Sequence, residues 1–200
     1  MARNMAIECK SIEDSCKELH VWMGRLGKLC HRDKNDLKAY FLKKNIWVDS
    51  LENLGYYMES GAESSIYSSP NQKEVYKFKI DRTGNIRGLV TILKDVLNHN
   101  KCFLDTYYTL IGFSSYERDV FGTIYFGVVL RQEFKNGEFA TNQQIINHLK
   151  KDGFTIIPTD TNGKFIALKN GFQVTDLKSQ NAIVANNRVY IIDCCITKYE

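Results

Sequence analysis

The sequence predicts an α+β fold, with an N-terminal helical segment followed by a domain of antiparallel strands around one main helix. Three observations indicate this class. Apolar residues recur at helical spacing up to Lys44, strand-like segments flank one amphipathic helix after Leu54, and short strands separated by Asn-Gly turns precede Asp176. We therefore expect a helical segment over residues 1–53 and a second domain over residues 54–200.

Composition is typical of a globular protein with a sizeable core. The chain has 200 residues, of which 44% are hydrophobic and 25% charged. No apolar run approaches the roughly 18–20 residues that span a bilayer, and the N-terminus lacks the apolar core of a signal sequence. We expect a cytoplasmic protein without membrane association. The six cysteines lack C-x-x-C spacing and are expected to be free thiols.

The charge pattern does not favour nucleic acid as a partner. The formal net charge is +4, which is small for a nucleic-acid-binding domain. The basic residues of the N-terminal segment are more typical of a solvated helix face: Lys28, Arg32, Lys34, Lys38, Lys43 and Lys44. Salt-dependent DNA binding would be the sign of the alternative.

The N-terminal segment is predicted to hold two helices between about Ser11 and Lys44. The second begins near Asp33 and is expected to place four apolar residues on one side: Leu37, Tyr40, Phe41 and Leu42.

The pattern then becomes that of a sheet with a small-residue loop. Gly55–Ser60 is predicted as a strand, Gly61–Ser65 as part of the loop, Ser69–Gln72 as a turn and Glu74–Ile80 as a further strand. Glycine and serine allow the close backbone approach that a phosphate group needs. A plain β-meander with a polar turn is the alternative.

Lys77 is the candidate phosphate-binding lysine. Strand alternation places Val75, Lys77 and Lys79 on one face. A small apolar residue two positions before the lysine could lie under a nucleotide base, while the ammonium reaches the phosphates. In the alternative interpretation, both lysines face water on an edge strand.

Further along the chain, a helix over Ile86–Lys101 carries one acidic residue, Asp95, as a possible partner for the lysine. Asp is shorter than Glu, so a solvated helix position is the favoured interpretation of Asp95. The segments expected after it are a buried strand at Ile124–Leu130, a hinge at Arg131–Gly137, a helix at Asn142–Asp152 capped by Thr141, and strands at Phe154–Pro158, Lys164–Lys169 and Phe172–Val174.

The candidate catalytic stretch follows those strands. Asp176 precedes Asn181 by five residues, and Asp193 follows a β-branched run. A carboxylate, an amide and a second carboxylate in this order are used to handle Mg²⁺ and a nucleoside triphosphate.

These motifs stand in the order found in the protein-kinase superfamily. Over roughly residues 54–196 the chain most resembles the kinase-like domain of bacterial and phage polyvalent proteins. The segments that carry the resemblance are Gly61–Tyr67 (Gly-x-Glu-x-x-aliphatic-Tyr), Val75–Lys77 (Val-x-Lys), His99–Phe103 (His-Asn-x-x-Phe), Gly112–Phe113, Gln132–Phe134 (Gln-x-Phe), Asp176–Asn181 and Ile192–Asp193.

The resemblance implies ATP and Mg²⁺ as ligands, and a kinase-like N-lobe sheet with one main helix. It implies Asp176 as catalytic base, Lys77 as a catalytic phosphate contact, and Asn181 and Asp193 as metal ligands. The cofactor-binding residues that it implies are Gly61, Glu63, Ser64, Ser65, Val75, Lys77, Gln132, Glu133 and Phe134.

Some positions depart from the kinase pattern. Val174-Thr175 replaces His-Arg before the catalytic Asp, and Cys194-Cys195 replaces Phe-Gly after the metal Asp. Few residues follow Asp193, so we expect a truncated C-lobe of one helix and short hairpins. The leading hypothesis is a phosphotransferase acting on an unknown small molecule or protein. The alternative is a non-enzymatic, pseudokinase-like module that binds a protein partner.

Overall fold

The computed structural model describes residues 12–15, 17, 19, 33–60, 64–80, 86–117, 124–160 and 163–199. It confirms the α+β class, with antiparallel sheets and few helices. The chain forms two compact units, Met1–Lys94 with Tyr108–Phe134 and Asp95–Tyr107 with Lys135–Glu200. In the part of the chain that the structure describes, no helix is both long and apolar enough to cross a membrane.

The first unit is built on a five-stranded antiparallel sheet. Its strand order is β1-β2-β3-β5-β4. Its strands are β1 (Tyr56–Ser60), β2 (Ser64–Ser68), β3 (Glu74–Ile80), β4 (Thr109–Glu117) and β5 (Ile124–Glu133), and its helices are α1 (Asp33–Lys43) and the first part of α2 (Ile86–Cys102).

Helix α1 spans Asp33–Lys43 among the described residues, which confirms a helix in this part of the chain, but its apolar face is narrower than expected. Leu37 and Phe41, four residues apart, are buried, and Phe41 stacks on Phe113 with ring centroids 4.0 Å apart. Leu42 is 47% exposed. The expectation that Leu42 shares the buried face is wrong, because adjacent helical residues are rotated by about 100° around the axis.

Strand β3 lies at the centre of this sheet, between β2 and β5. Phe78 packs with Val48, Ile111 and Val129 in an apolar cluster. The predicted turn before β3 is present, since the Gln72 amide donates to the Ser69 carbonyl at 2.9 Å.

The second unit contains two smaller sheets, with strand orders β11-β10-β6 and β12-β9-β8-β7. Its helices are the end of α2 and α3 (Asn142–Lys151), and its strands are β6 (Glu138–Phe139), β7 (Thr155–Pro158), β8 (Phe165–Lys169), β9 (Phe172–Thr175), β10 (Ala182–Ala185), β11 (Arg188–Ile191) and β12 (Cys195–Lys198).

The capped helix α3 confirms its prediction. The backbone N–H of Gln144 donates to Thr141 Oγ1 at 3.3 Å, and the backbone N–H of Thr141 donates to Gln144 Oε1 at 2.8 Å. These two hydrogen bonds form a capping box. Ile145 and Leu149 on the inner face of α3 are fully buried with Val174 and other core residues. This core supports strand β9, which leads directly to Asp176.

Candidate functional site

Strand register brings two loops of the second unit together. Thr175, the last residue of β9, pairs with Cys195, the first residue of β12. Ala182, at the start of β10, pairs with Ile191, at the end of β11. Two loops, residues 176–181 and residues 192–194, therefore both run from the β9–β12 pair to the β10–β11 pair. The two loops must lie side by side. One loop carries Asp176 and Asn181, and the other carries Asp193.

Asn181 ties the two loops to each other. Its side-chain Nδ2 donates to the Asp176 carbonyl at 2.8 Å and to Asp176 Oδ2 at 2.9 Å. Its own carbonyl accepts from the amides of Ile192 at 2.9 Å and Asp193 at 3.3 Å. The structure thus gathers the three residues that the sequence singled out in this unit.

Asp176 has a backbone conformation that is uncommon for a residue with a side chain. Its φ is +55°, in the left-handed region, and its carboxylate is 46% exposed. Asp adopts this region more readily than most residues, and it stays there when the surrounding contacts favour it. Here the Asn181 hydrogen bonds provide such contacts.

Lys178 is a residue that the sequence analysis missed. Its Nζ lies 3.1 Å from Asp176 Oδ1, and its side chain is 53% exposed. The sequence feature that could have indicated this contact is the position of Lys178, only two residues after the candidate base. The six-residue loop that contains both residues keeps them close together.

Asp193 is held from the other side by a buried chain of polar groups. Its Oδ1 accepts from the Cys194 amide at 3.0 Å. The Cys194 Sγ lies 3.5 Å from Nδ1 of His99, which is 2% exposed. Nε2 of His99 lies 3.1 Å from the Thr106 carbonyl, and Thr106 Oγ1 donates to the Ile191 carbonyl at 2.7 Å.

The partners of His99 indicate its tautomer. A backbone carbonyl only accepts, so Nε2 carries the proton that is donated to Thr106. In neutral imidazole Nδ1 is then an acceptor, and the Cys194 thiol donates to it. His99, from the predicted His-Asn-x-x-Phe motif, therefore fixes the residue that follows Asp193.

The donor set of these loops suits Mg²⁺. Asn181 and Asp193 provide an amide oxygen and a carboxylate, and Mg²⁺ prefers oxygen ligands with one or two protein carboxylates completed by phosphates and water. No three His, Cys, Asp or Glu side chains form a metal-binding group among the described residues.

Lys77 lies on the central strand β3 of the first unit. It is buried, with only 3% of its surface exposed to solvent. The alternative of a solvated lysine on an edge strand is therefore wrong. Its Nζ donates to the Tyr108 hydroxyl at 3.1 Å and lies 5.2 Å from the centroid of that ring. Val75, two positions earlier, is also buried. Tyr108 was not predicted, because it is 31 residues from Lys77 in sequence and meets it only in the folded chain.

The expected loop over Gly61–Ser65 is shorter than predicted. Ser64 and Ser65 are the first residues of β2, where they pair with Lys79 and Phe78. Gly61 and Glu63 lie outside the described residues. The roles assigned to all four stay predictions.

The expected hinge begins as strand. Strand β5 continues through Gln132, which is 2% exposed, and Glu133. The amide of Phe134 donates to the Lys73 carbonyl at 2.9 Å, so this hydrogen-bond donor is already used within the first unit. The expected role of these residues stays a prediction, as does that of Asp95, which is half-buried on α2 in the second unit.

Comparison with known proteins gives a family. Residues 31–199 match the family described as "Serine/Threonine/Tyrosine Kinase found in polyvalent proteins". Two solved structures of the Legionella pneumophila effector kinase LegK7, one alone and one in complex with human MOB1A, are each 13% identical, with TM-scores of 0.32 and 0.33. They cover 94% and 90% of this chain, which spans 39% and 35% of theirs. A search of curated proteins gave no match. By the match over residues 31–199, the chain belongs to the Kinase-PolyVal family.

Proposed function

We propose that the chain binds ATP with Mg²⁺ and transfers the terminal phosphoryl group to an acceptor hydroxyl on a small molecule or protein. The observation that carries this proposal is the pair of adjoining loops that hold Asp176, Asn181 and Asp193 through strand register and the hydrogen bonds of Asn181. Membership of a kinase family supports the reaction class.

In the proposed reaction the acceptor oxygen forms a bond to the γ-phosphorus, and the bond to the bridging oxygen of ADP breaks. Asp176 takes the proton of the acceptor hydroxyl. Lys178, already 3.1 Å from Asp176, supplies a positive charge beside the carboxylate. Bound Mg²⁺ would neutralise charge on the phosphates, and Asn181 and Asp193 would be its protein ligands.

In the first unit, Lys77 would contact the phosphates and Val75 would lie under the base. Gln132 to Phe134 would line the adenine pocket through backbone groups. Since the Phe134 amide already donates to Lys73, adenine would pair with other backbone groups of this segment. Ser64 and Ser65 would contribute from the first residues of β2, with Gly61 and Glu63 from the segment before it.

The test combines nucleotide-dependent melting with turnover. Wild type should melt at a higher temperature with ATP and Mg²⁺, since a ligand that binds the folded state stabilises it. Asp193→Asn should lose the Mg²⁺-dependent part of that shift. Asp160→Asn is the matched control, because Asp160 is an exposed carboxylate of the same unit that pairs with Lys164. Asp176→Ala should retain binding and lose phosphoryl transfer or ATP hydrolysis.

A second candidate is a non-enzymatic module that binds a protein partner. Buried Val174 and neighbouring Thr175 stand where active kinases have His-Arg, and Cys194 stands after the metal Asp. ATP binding without turnover on any acceptor would favour this candidate. Absence of any melting shift with ATP or ADP and Mg²⁺ would contradict the nucleotide-binding proposal itself.

A further inference from the structure

We propose that Tyr108 is a positioning residue that holds Lys77 for the nucleotide phosphates. This inference rests on the proposed function. It assigns to Tyr108 a role that neither the family match nor the sequence motifs assign.

The geometry of the pair is that of a specific contact. Lys77 Nζ donates to the Tyr108 hydroxyl at 3.1 Å, and the same ammonium lies 5.2 Å from the ring centroid. Both side chains are almost fully buried, with Lys77 3% and Tyr108 2% exposed. A buried ammonium requires hydrogen-bond acceptors and favourable charge around it. The phenol oxygen provides a lone pair that accepts from the ammonium.

The positions of Lys77 and Tyr108 relative to the sheet fix this contact. Lys77 lies in mid-β3, paired with Ile66 on one side and Leu130 on the other. Tyr108 directly precedes β4, which pairs with β5 from Thr109 onward. Both ends of the contact are therefore attached to the same five-stranded sheet, so the ammonium is held by backbone that has little freedom.

A second lysine lies close to the same ring. Lys79 lies on the same face of β3, and its Nζ is 5.6 Å from the centroid of the Tyr108 ring. A triphosphate that meets Lys77 would therefore also approach the ammonium of Lys79.

The experiment compares Tyr108→Phe with the matched control Tyr107→Phe. The control removes a hydroxyl from the neighbouring tyrosine, which is 56% exposed. Affinities for ATP with Mg²⁺ and for adenosine are measured by calorimetry, with kcat and KM where turnover is found. Thermal melting without ligand checks that each variant is folded.

Tyr108→Phe should weaken ATP binding by about ten-fold, as expected for losing a hydrogen bond to a charged group. Its affinity for adenosine should stay within about two-fold of wild type, because adenosine has no phosphates to meet Lys77. Tyr107→Phe should change neither. A general loss of folding would weaken both ligands together, so the ATP-to-adenosine ratio distinguishes positioning from a purely structural role.

A second measurement does not depend on nucleotide. Amine acylation followed by mass spectrometry should show Lys77 protected in wild type and several-fold more reactive in Tyr108→Phe. Wild type that binds ATP while Tyr108→Phe keeps the same ATP-to-adenosine ratio would overturn the inference, as would unchanged Lys77 labelling. If the wild type binds no ATP, the proposed function is overturned, and so is the phosphate-binding role of Lys77. The labelling experiment would still show whether Tyr108 holds the Lys77 side chain.

Discussion

The side-chain amide of Asn181 donates two hydrogen bonds to Asp176, one to its carbonyl at 2.8 Å and one to its carboxylate at 2.9 Å. Because both bonds use the nitrogen, the amide oxygen is the atom available for the metal role expected of Asn181. The same residue accepts the amides of Ile192 and Asp193 through its backbone. One residue thus connects the candidate base, through its side chain, to the candidate metal ligand, through its backbone carbonyl.

Asn181→Ala should therefore abolish the Mg²⁺-dependent melting shift with ATP. It should also destabilise the free protein by about 1 kcal/mol, since one hydrogen bond to a carboxylate and one to a backbone carbonyl are lost from an exposed loop. Melting with and without Mg²⁺ measures the first effect, and urea unfolding measures the second. Asn147→Ala, which removes an exposed amide from α3, is the control. A full Mg²⁺-dependent shift in Asn181→Ala would contradict the metal role.

The features that the sequence predicted best are those that depend on residues adjacent in the chain. The Thr141 cap and the Asn170-Gly171 turn, with φ of +51° and +77°, follow from local rules of backbone chemistry. Asp176, Asn181 and Asp193 were predicted from their spacing, and the strand register brings them together. Each of the two short loops runs from the β9–β12 pair to the β10–β11 pair, which leaves few places for the loop residues.

Sequence predicted least well the features that depend on distant pairing. Strand β6 has only two residues, and it forms a strand by pairing with β10, which lies far along the chain. The burial of Lys77 depends on β5 and Tyr108, which pair with or approach β3 only in the folded chain. The contacts of His99 with Thr106 and Cys194 are also tertiary.

Thr106→Val should destabilise the protein by about 1–3 kcal/mol, because it leaves a buried acceptor without its donor. Thr106 Oγ1 donates to the Ile191 carbonyl at 2.7 Å, and Thr106 is almost fully buried. Urea unfolding of wild type and variant measures the difference. Thr197→Val makes the same change at an exposed position of β12 and should have little effect. Equal destabilisation by the two substitutions would count against this role of the Thr106 hydroxyl.

Gly137→Ala should weaken the pairing of β6 with β10. A Cβ atom at Gly137 would meet the carbonyl oxygen of Val184, so the backbone would have to shift. We expect a loss of about 1–3 kcal/mol, as for other forced overpacking. Hydrogen exchange should rise at Ile183 and Val184, the partners of Phe139 and Glu138. Asn136→Ala, at the exposed neighbouring position, should leave exchange in β10 unchanged, and protection retained in Gly137→Ala would contradict the steric argument.

Cys102 should react with iodoacetamide more slowly than Cys195 at pH 8. Burial raises the pKa of the Cys102 thiol, although Lys169 acts in the opposite direction, whereas Cys195 is exposed. The thiolate is the nucleophile, so a raised pKa lowers the reactive fraction at that pH. Peptide mapping by mass spectrometry resolves the two sites, and guanidinium-unfolded protein is the control in which the rates should converge. The rate at Cys102 should continue to rise with pH after that of an ordinary thiol has levelled. The folded thiol of Cys102 holds its proton more tightly than the unfolded thiol does. Its contribution to the free energy of unfolding is therefore present below the ordinary thiol pKa and is lost as pH rises through the raised pKa of the folded state. Equal rates for the two thiols in the folded protein would contradict the burial of Cys102.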